Sequence, residues 1–255
     1  GSQKVTIRGH LWYHQYEQKG GDAVDFVRRF YNAEAVEMLL NGNGGQIITS
    51  PPIKRERKPF DLPPRNDRMS RVFSYLLLTR GIDKDVLFEF VKNKMIYESA
   101  DYHNAVFVGY DLNGIPHHAH KRGTVTSNSY KGNVAGSQLE FSFHWHGTSD
   151  KMFLFEAPID MLSYISMHKD NWQRHSYAAS CSVSDRVLFQ CLKDNPNIKN
   201  VFLCFDNDEA GQTANKRIAD KLNIQNEILI PTHKDWNEDL TLSEKGDERI
   251  CHQVL

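Results

Sequence analysis

The chain has 255 residues, of which 40 % are hydrophobic, 25 % charged and 11 % aromatic, ordinary globular proportions that exclude disordered, collagen-like and coiled-coil classes. The formal net charge is −1, and no apolar run approaches the roughly 18–20 residues of a membrane helix. Cys181, Cys191, Cys204 and Cys251 lie far apart without a C-x-x-C pair, which indicates neither a zinc knuckle nor a disulfide framework and fits a reducing cytoplasm.

Gly1-Ser2 reads as the scar of a removed tag, so the native chain is expected to begin upstream. Residues 5–40 open with an aromatic cluster, turn at Gly20-Gly21 and continue into a helical pattern through Leu40. Val24, Val27, Phe30 and Tyr31 fall on one face, and Ala35, Met38 and Leu39 repeat it after Asn32, so two short helices are expected. His10 and His14 would be neighbours on one face if helical; beside Trp12-Tyr13, packing or base stacking suits them better than metal ligation. Gly42, Gly44, Gly45 and five prolines between 51 and 64 make a linker and a domain boundary. Ser50–Arg71 carries seven basic residues against three acidic, a stretch that could meet phosphate or simply be solvated.

A helix is expected from Arg68 to Leu78, a break at Arg80-Gly81-Ile82, and a second helix from Asp83, its N-cap, to Asn93. Ala105–Tyr110 reads as a strand, Asp111-Leu112-Asn113-Gly114 as a hairpin turn, and Ile115–Lys121 as the partner strand. His117, His118 and His120, and likewise His144 and His146, alternate along strands; polar faces or phosphate contacts account for them more simply than metal. After residue 150 the pattern becomes α/β. Met152–Phe155 and Val201–Phe205 are buried strands, helices run from Pro158 to about His168 and from Glu209 to Leu222, and Glu227–Ile230 is a further strand. Such alternation implies right-handed crossovers and a mostly parallel sheet whose reactive edge lies at the strand C-terminal ends.

Acidic residues sit at three such ends: Glu156, the Asp206/Asp208 pair, and Asp235. Carboxylates converging at this density repel unless a hard cation such as Mg²⁺ or Mn²⁺ offsets them. Asp208 could instead simply cap the following helix.

The run Phe153-Leu154-Phe155-Glu156-Ala157-Pro158-Ile159-Asp160 resembles the first motif of Toprim domains. Phe205-Asp206-Asn207-Asp208-Glu209-Ala210-Gly211 resembles the second, D-x-D, about 50 residues on, and Lys234-Asp235-Trp236-Asn237-Glu238 resembles the third acidic element. Upstream, Tyr75-Leu76, Arg80-Gly81-Ile82, Asp111-Leu112-Asn113-Gly114 and Lys121-Arg122-Gly123-Thr124 are similar to the polymerase core of bacterial DnaG-type DNA primases. Gly20-Gly21-Asp22-Ala23-Val24-Asp25-Phe26 resembles the end of the primase zinc ribbon. His14 and Glu17 occupy positions where that ribbon has Cys, so a zinc-free relic is expected. The Glu156-Ala157-Pro158 variant and the degenerate ribbon look like the primase-related family carried by plasmids and conjugative elements.

The resemblance implies an α/β fold, α+β overall. It divides into a ribbon-like segment (1–45), a linker (46–66), a mixed α+β primase-core-like subdomain (67–150) and a Toprim domain (151–255) with a mostly parallel sheet flanked by helices. It implies catalysis by Glu156, Asp206 and Asp208, with Mg²⁺ or Mn²⁺ held by Glu156, Asp160, Asp206, Asp208 and Asp235. Arg80, Lys121, Arg122 and Lys131 would meet template or nucleotide phosphates, although surface charge would explain them too. Expected partners are single-stranded DNA, nucleoside triphosphates and a helicase or other replication protein, with no membrane. The alternatives are a Toprim nuclease or nickase using the same acidic site, and a non-catalytic DNA-binding adaptor. Cys181 has no paired His motif to make it a nucleophile.

Overall fold

The computed structural model describes residues 5–9, 11–14, 19–30, 59–125, 130–182 and 184–242, and the chain forms two compact units, 1–56 and 57–255. In the first, β1 (Val5–Arg8), β2 (Leu11–His14) and β3 (Lys19–Gly21) form an antiparallel sheet followed by α1 (Ala23–Phe30). Asp22 caps α1 through its Oδ1, which accepts from the Val24 and Asp25 amides at 2.9 and 3.0 Å. The aromatic residues have a packing role: Trp12 meets Phe26 and Phe30 edge-on at 5.8 and 5.2 Å. Residues 11–14 form a strand, not a helix. His10, Glu17 and the expected helix beyond Phe30 lie outside the described residues.

The second unit holds two sheets. The first has strand order β4 (Ile96–Glu98), β5 (Ala105–Tyr110), β6 (Pro116–Arg122), β7 (Lys131–Asn133), all antiparallel. The second has the order β12 (Gln225–Ile228), β11 (Asn200–Cys204), β9 (Lys151–Phe155), β10 (Ser176–Ala179), β8 (His144–Trp145), parallel except for the β8 edge. The helices α4 (Pro158–Met167), α5 (Arg186–Asp194) and α6 (Glu209–Ala219) are the crossovers. β12 begins and ends two residues earlier than the periodicity suggests; its pairing is extended by one bond, from the Leu229 amide to the Leu203 carbonyl at 2.9 Å. No helix among the described residues is long and apolar enough to cross a membrane.

Proline 158 opens α4, where a missing amide costs nothing, and every residue from Pro158 to Ser166 is buried. A helix buried on every face belongs inside a core, and α4 lies between the parallel sheet and α3 (Lys84–Lys92). Asp83 caps α3 as expected, accepting from Asp85 and Val86 at 2.9 and 3.1 Å, while its own amide donates to Ser166 at 3.0 Å. The two sheets share one hydrophobic core, in which Phe90 packs against Phe143 at 5.3 Å and stacks on Trp172 at 5.3 Å with 13° between planes.

The segment α2 (Ser70–Phe73) continues as a π-helical stretch, Ser74–Thr79, and Arg80 closes it by donating its amide to the Tyr75 carbonyl at 3.0 Å. Gly81, at φ +66°, then takes the left-handed conformation that lets the chain leave directly. The start of α2 has no local cap; buried Glu98 supplies one from β4. Its Oε2 accepts from the Arg71 and Val72 amides at 3.0 and 3.1 Å, and its Oε1 accepts from Asn66 at 2.8 Å and His103 at 2.6 Å.

These bonds hold the Glu98 carboxyl below its ordinary pKa despite a burial that pushes it up. Glu98→Ala should therefore lower stability by about 3 kcal/mol at pH 7 in urea unfolding. Because the folded-state pKa is depressed, the carboxylate's contribution is fully present above the unfolded value near 4.5 and is lost as pH falls through the folded value. The gap between variant and wild type should accordingly narrow below about pH 4.5.

Candidate functional site

The C-terminal ends of β9 and β11 open into a cleft of about 470 Å³, whose walls include Glu156, Asp160, Asp206 and Asp235 together with Arg80, Arg122, Lys131, Lys234 and Asn237. Glu156 follows β9 directly and Asp206 lies two residues past β11. Asp160 reaches the cleft from the first turn of α4. Asp235 caps the helical residues 236–242, accepting from the Glu238 amide at 2.8 Å. The loops are pinned: the Glu156 carbonyl accepts from the Cys181 amide at 3.0 Å, and the Asn207 amide donates to the Lys234 carbonyl at 2.8 Å. Gly211 is required in α6, since a Cβ there would stand 2.2 Å from the Asp206 carbonyl oxygen.

Asp208 does not line this cleft. One of its oxygens caps α6, accepting from the Gly211 amide at 2.8 Å, so the capping reading accounts for that oxygen. Its charge still bears on the centre, where it raises the pKa of Glu156 and Asp206.

Burial pushes the Glu156 carboxyl up, Asp208 adds to this, and Lys131 and Lys234 partly oppose it. Asp160, itself buried, is held well above the ordinary carboxylate range by burial and then by Asp206, Asp235 and Glu156. Asp206 is pushed up to about 7, by burial first and by Glu156, Asp235 and Asp208 next. Its Oδ1 is buried and has no hydrogen-bond partner. Buried polar atoms are normally paired, and a carboxylate oxygen surrounded by other carboxylates can be satisfied by a proton or a hard cation. An all-oxygen donor set of this kind fits Mg²⁺ or Mn²⁺. The carboxylates flank the cleft without closing on one point: among the described residues, the only group of three His, Cys, Asp or Glu ligands with atoms all within 4.8 Å lies elsewhere.

The cationic wall is equally constructed. Arg122 on β6 and Lys131 on β7 are cross-strand partners, which puts them side by side. The Tyr75 hydroxyl accepts from Arg80 Nε at 2.9 Å and Arg122 Nε at 3.3 Å, bringing the two guanidinium groups together. Arg80 Nη1 donates to Asn237 Oδ1 at 3.0 Å, and Asn237 Nδ2 returns a bond to the Arg80 carbonyl at 2.7 Å. Lys121 lies apart, in a separate hollow with Tyr102 and Tyr130, its Nζ 5.5 Å from the Tyr130 ring centroid. Neither Asn237 nor Lys234 stood out in the sequence as a site residue, although both fall inside the third acidic motif.

Of the remaining candidates, His117 pairs with Asp111 at 3.2 Å and His120 bonds Asn133 at 2.7 Å. His118 is buried, and burial pushes its pKa down to about 3, so it is neutral. Cys181 adopts φ +53° beside Glu156, and burial pushes its thiol up to about 12, which leaves it protonated and a poor nucleophile.

Residues 153–240 match the family model described as Toprim-like, and residues 74–149 match a domain of unknown function, DUF3991. The chain carries a Toprim-like domain. An uncharacterised protein of Bacillus anthracis, pXO2-78, is 24 % identical over 277 residues, covering 96 % of this chain and 80 % of that one. The fold is similar to the primase fragment of the bacteriophage T7 primase-helicase protein, with TM-score 0.52 and 18 % identity over 96 % of this chain and 90 % of that one. It is also similar to a chain in the structure of T7 lagging-strand DNA polymerase interacting with primase domains bound to an RNA/DNA hybrid and dTTP. There the TM-score is 0.51 and the identity 22 %, covering 70 % of this chain and 89 % of that one. The Toprim-like segment thus carries Glu156 and Asp206 just past the ends of β9 and β11, and the segment matched before it supplies Arg80, Arg122 and Lys131 opposite them.

Removing one repelling carboxylate should stabilise the protein. In chelator at pH 8, Asp206→Asn is expected to unfold about 1–2 kcal/mol later than wild type, the raised pKa being a stability cost of the charged form. The same variant should lose most of the thermal stabilisation that millimolar Mn²⁺ gives wild type.

Proposed function

We propose that this protein is a primase-like, divalent-cation-dependent nucleotidyltransferase that acts on single-stranded DNA with nucleoside triphosphates. The observation that carries the reading is one cleft in which the unpartnered Asp206 oxygen and its neighbouring carboxylates face Arg80, Arg122 and Lys131. Opposed acidic and basic walls of this kind suit a triphosphate and a cation together; either alone would need only one of them.

Glu156, Asp206 and Asp235 would hold the cation, with Asp160 behind them and the second oxygen of Asp208 at the margin. When bound, the ion offsets triphosphate charge and makes the primer 3′-hydroxyl a better nucleophile. Arg80 and Arg122, set by Tyr75 and Asn237, orient the phosphates with the guanidinium N–H groups left over from those bonds. Lys131 and Lys234 balance the charge of Glu156 while nucleotide enters. Lys121 and Tyr130 offer the template a cation for its backbone and a ring face for a base. Within the same proposal the chain works in replication or transfer of a mobile element beside a helicase, in the cytoplasm; the phage relative is itself the primase fragment of a primase-helicase protein.

The deciding assay incubates single-stranded DNA with labelled nucleotides in Mg²⁺ or Mn²⁺ and resolves products by length. New template-dependent oligonucleotides are expected, reduced more than about 100-fold in the Asp206→Asn/Asp208→Asn double variant. Shortened DNA without a nucleotide requirement would replace synthesis with cleavage, and DNA binding without turnover would leave an adaptor. Arg80→Ala should raise the nucleotide KM about 10-fold or more, the worth of one charge-assisted contact. Asn237→Ala, which keeps the Arg80 charge but frees its side chain, should raise KM less.

A further inference from the structure

The group of ligand atoms within 4.8 Å of one another is His144, His146 and Cys191. Cys191 packs in the cluster that holds Met152, Leu154 and Ala178, whereas α4, which carries Asp160, packs with Phe153, Phe155 and Ala179, so the two lie on opposite faces of the parallel sheet. His144 sits on the antiparallel edge strand β8, opposite Ala178, and His146, two residues on, shares its face. Cys191 is in the last turn and a half of α5, which leads back to the start of β11 and so away from the strand C-terminal ends.

The surroundings of the two imidazoles suit them to ligation. The His144 Nδ1 lies 2.6 Å from the Ser142 carbonyl oxygen; a carbonyl only accepts, so Nδ1 carries the proton and Nε2 presents a lone pair. A backbone carbonyl holding the second ring nitrogen is the usual support of a metal-bound imidazole. His146 Nε2 is buried without any hydrogen-bond partner, although buried polar atoms are nearly always paired. The two rings meet at 4.6 Å between centroids and 75° between planes, and Cys191 is buried beside them. A cleft of about 260 Å³ lined by Asn93, Asp111, His144 and His146, among others, gives an ion a way in.

We propose that His144, His146 and Cys191 form a second metal site, independent of the carboxylate centre, for a borderline transition-metal ion of the Zn²⁺ class. Two imidazoles and a thiolate select such an ion over Mg²⁺ or Mn²⁺, whose preference is for oxygen. Three protein ligands leave a fourth position for water or an incoming group. On binding, the Cys191 thiol releases its proton to solvent and the sulfur forms the bond to the ion.

The test loads the full chain with Co²⁺ after chelation and dialysis. One equivalent should give the visible bands of tetrahedral cobalt with a near-ultraviolet sulfur-to-cobalt transition, and Zn²⁺ should abolish both. Cys191→Ser should remove the sulfur transition. His146→Ala, at a less enclosed position, should weaken Zn²⁺ binding by more than about 100-fold, since even an outer hydrogen-bond partner is worth about 10–100-fold. Asp206→Asn should give the same sulfur-to-cobalt transition as wild type. Circular dichroism of each variant separates lost ligation from lost folding. Absence of uptake by folded wild type, or a sulfur transition that survives in folded Cys191→Ser, would overturn the site.

Discussion

Electrostatic repulsion at one edge of a parallel sheet is the constraint on which this molecule is organised. Glu156 and Asp206 end up together because β9 and β11 are parallel neighbours whose C-terminal ends lie on one side, and Asp235 joins them from beyond β12. Packing them there raises Glu156, Asp160 and Asp206 above their ordinary pKa values, a cost the rest of the fold must carry. The buried helix α4 and the Phe90, Phe143 and Trp172 cluster supply apolar burial that offsets it. Stored repulsion of this kind is typical of sites that wait for a charged ligand.

The opposing wall shows how the antiparallel sheet becomes part of the same site. β6 and β7 deliver Arg122 and Lys131 as a cross-strand pair, and the π-helical stretch delivers Arg80. One phenol hydroxyl, that of Tyr75, sets both guanidinium groups. The cations lower the cost of the carboxylates across the cleft: Lys131 and Lys234 oppose the upward push on Glu156, and Lys234 that on Asp206.

Much of this was legible from the residues alone, for local reasons. Val201–Phe205 followed by Asp206, Asp208 and an alanine-bearing helix is a strand, a turn and a capped helix in one short run, so periodicity and capping agree. Asp83 was readable as an N-cap for the same reason. What escaped was non-local or unpatterned. Lys131–Asn133 is a three-residue strand of Lys, Gly and Asn with no alternation to detect, and it pairs only because β6 is beside it. Gln225–Ile228 is a mostly polar edge strand, which blurred its limits. No element was assigned to Arg186–Asp194, although Val187, Leu188 and Cys191 are its buried face. The nearness of Cys191 to His144 and His146 follows from the sheet order and cannot be deduced from spacing. Asn237 is a neutral residue inside an acidic motif, and only the bonds to Arg80 reveal its work.

The Arg80–Asn237 pair joins positions 157 apart in the chain. Contacts of such separation close late, because a large loop must lose its freedom first. During synthesis the cationic wall emerges well before the helical residues 236–242 that fix it. The basic cleft is then exposed to cellular polyanions with neither Asn237 nor Asp235 in place. A nascent chain halted before residue 235 would hold Arg80, Arg122 and Lys131 but an incomplete acidic centre, so the order of translation completes the carboxylate side of the cleft last.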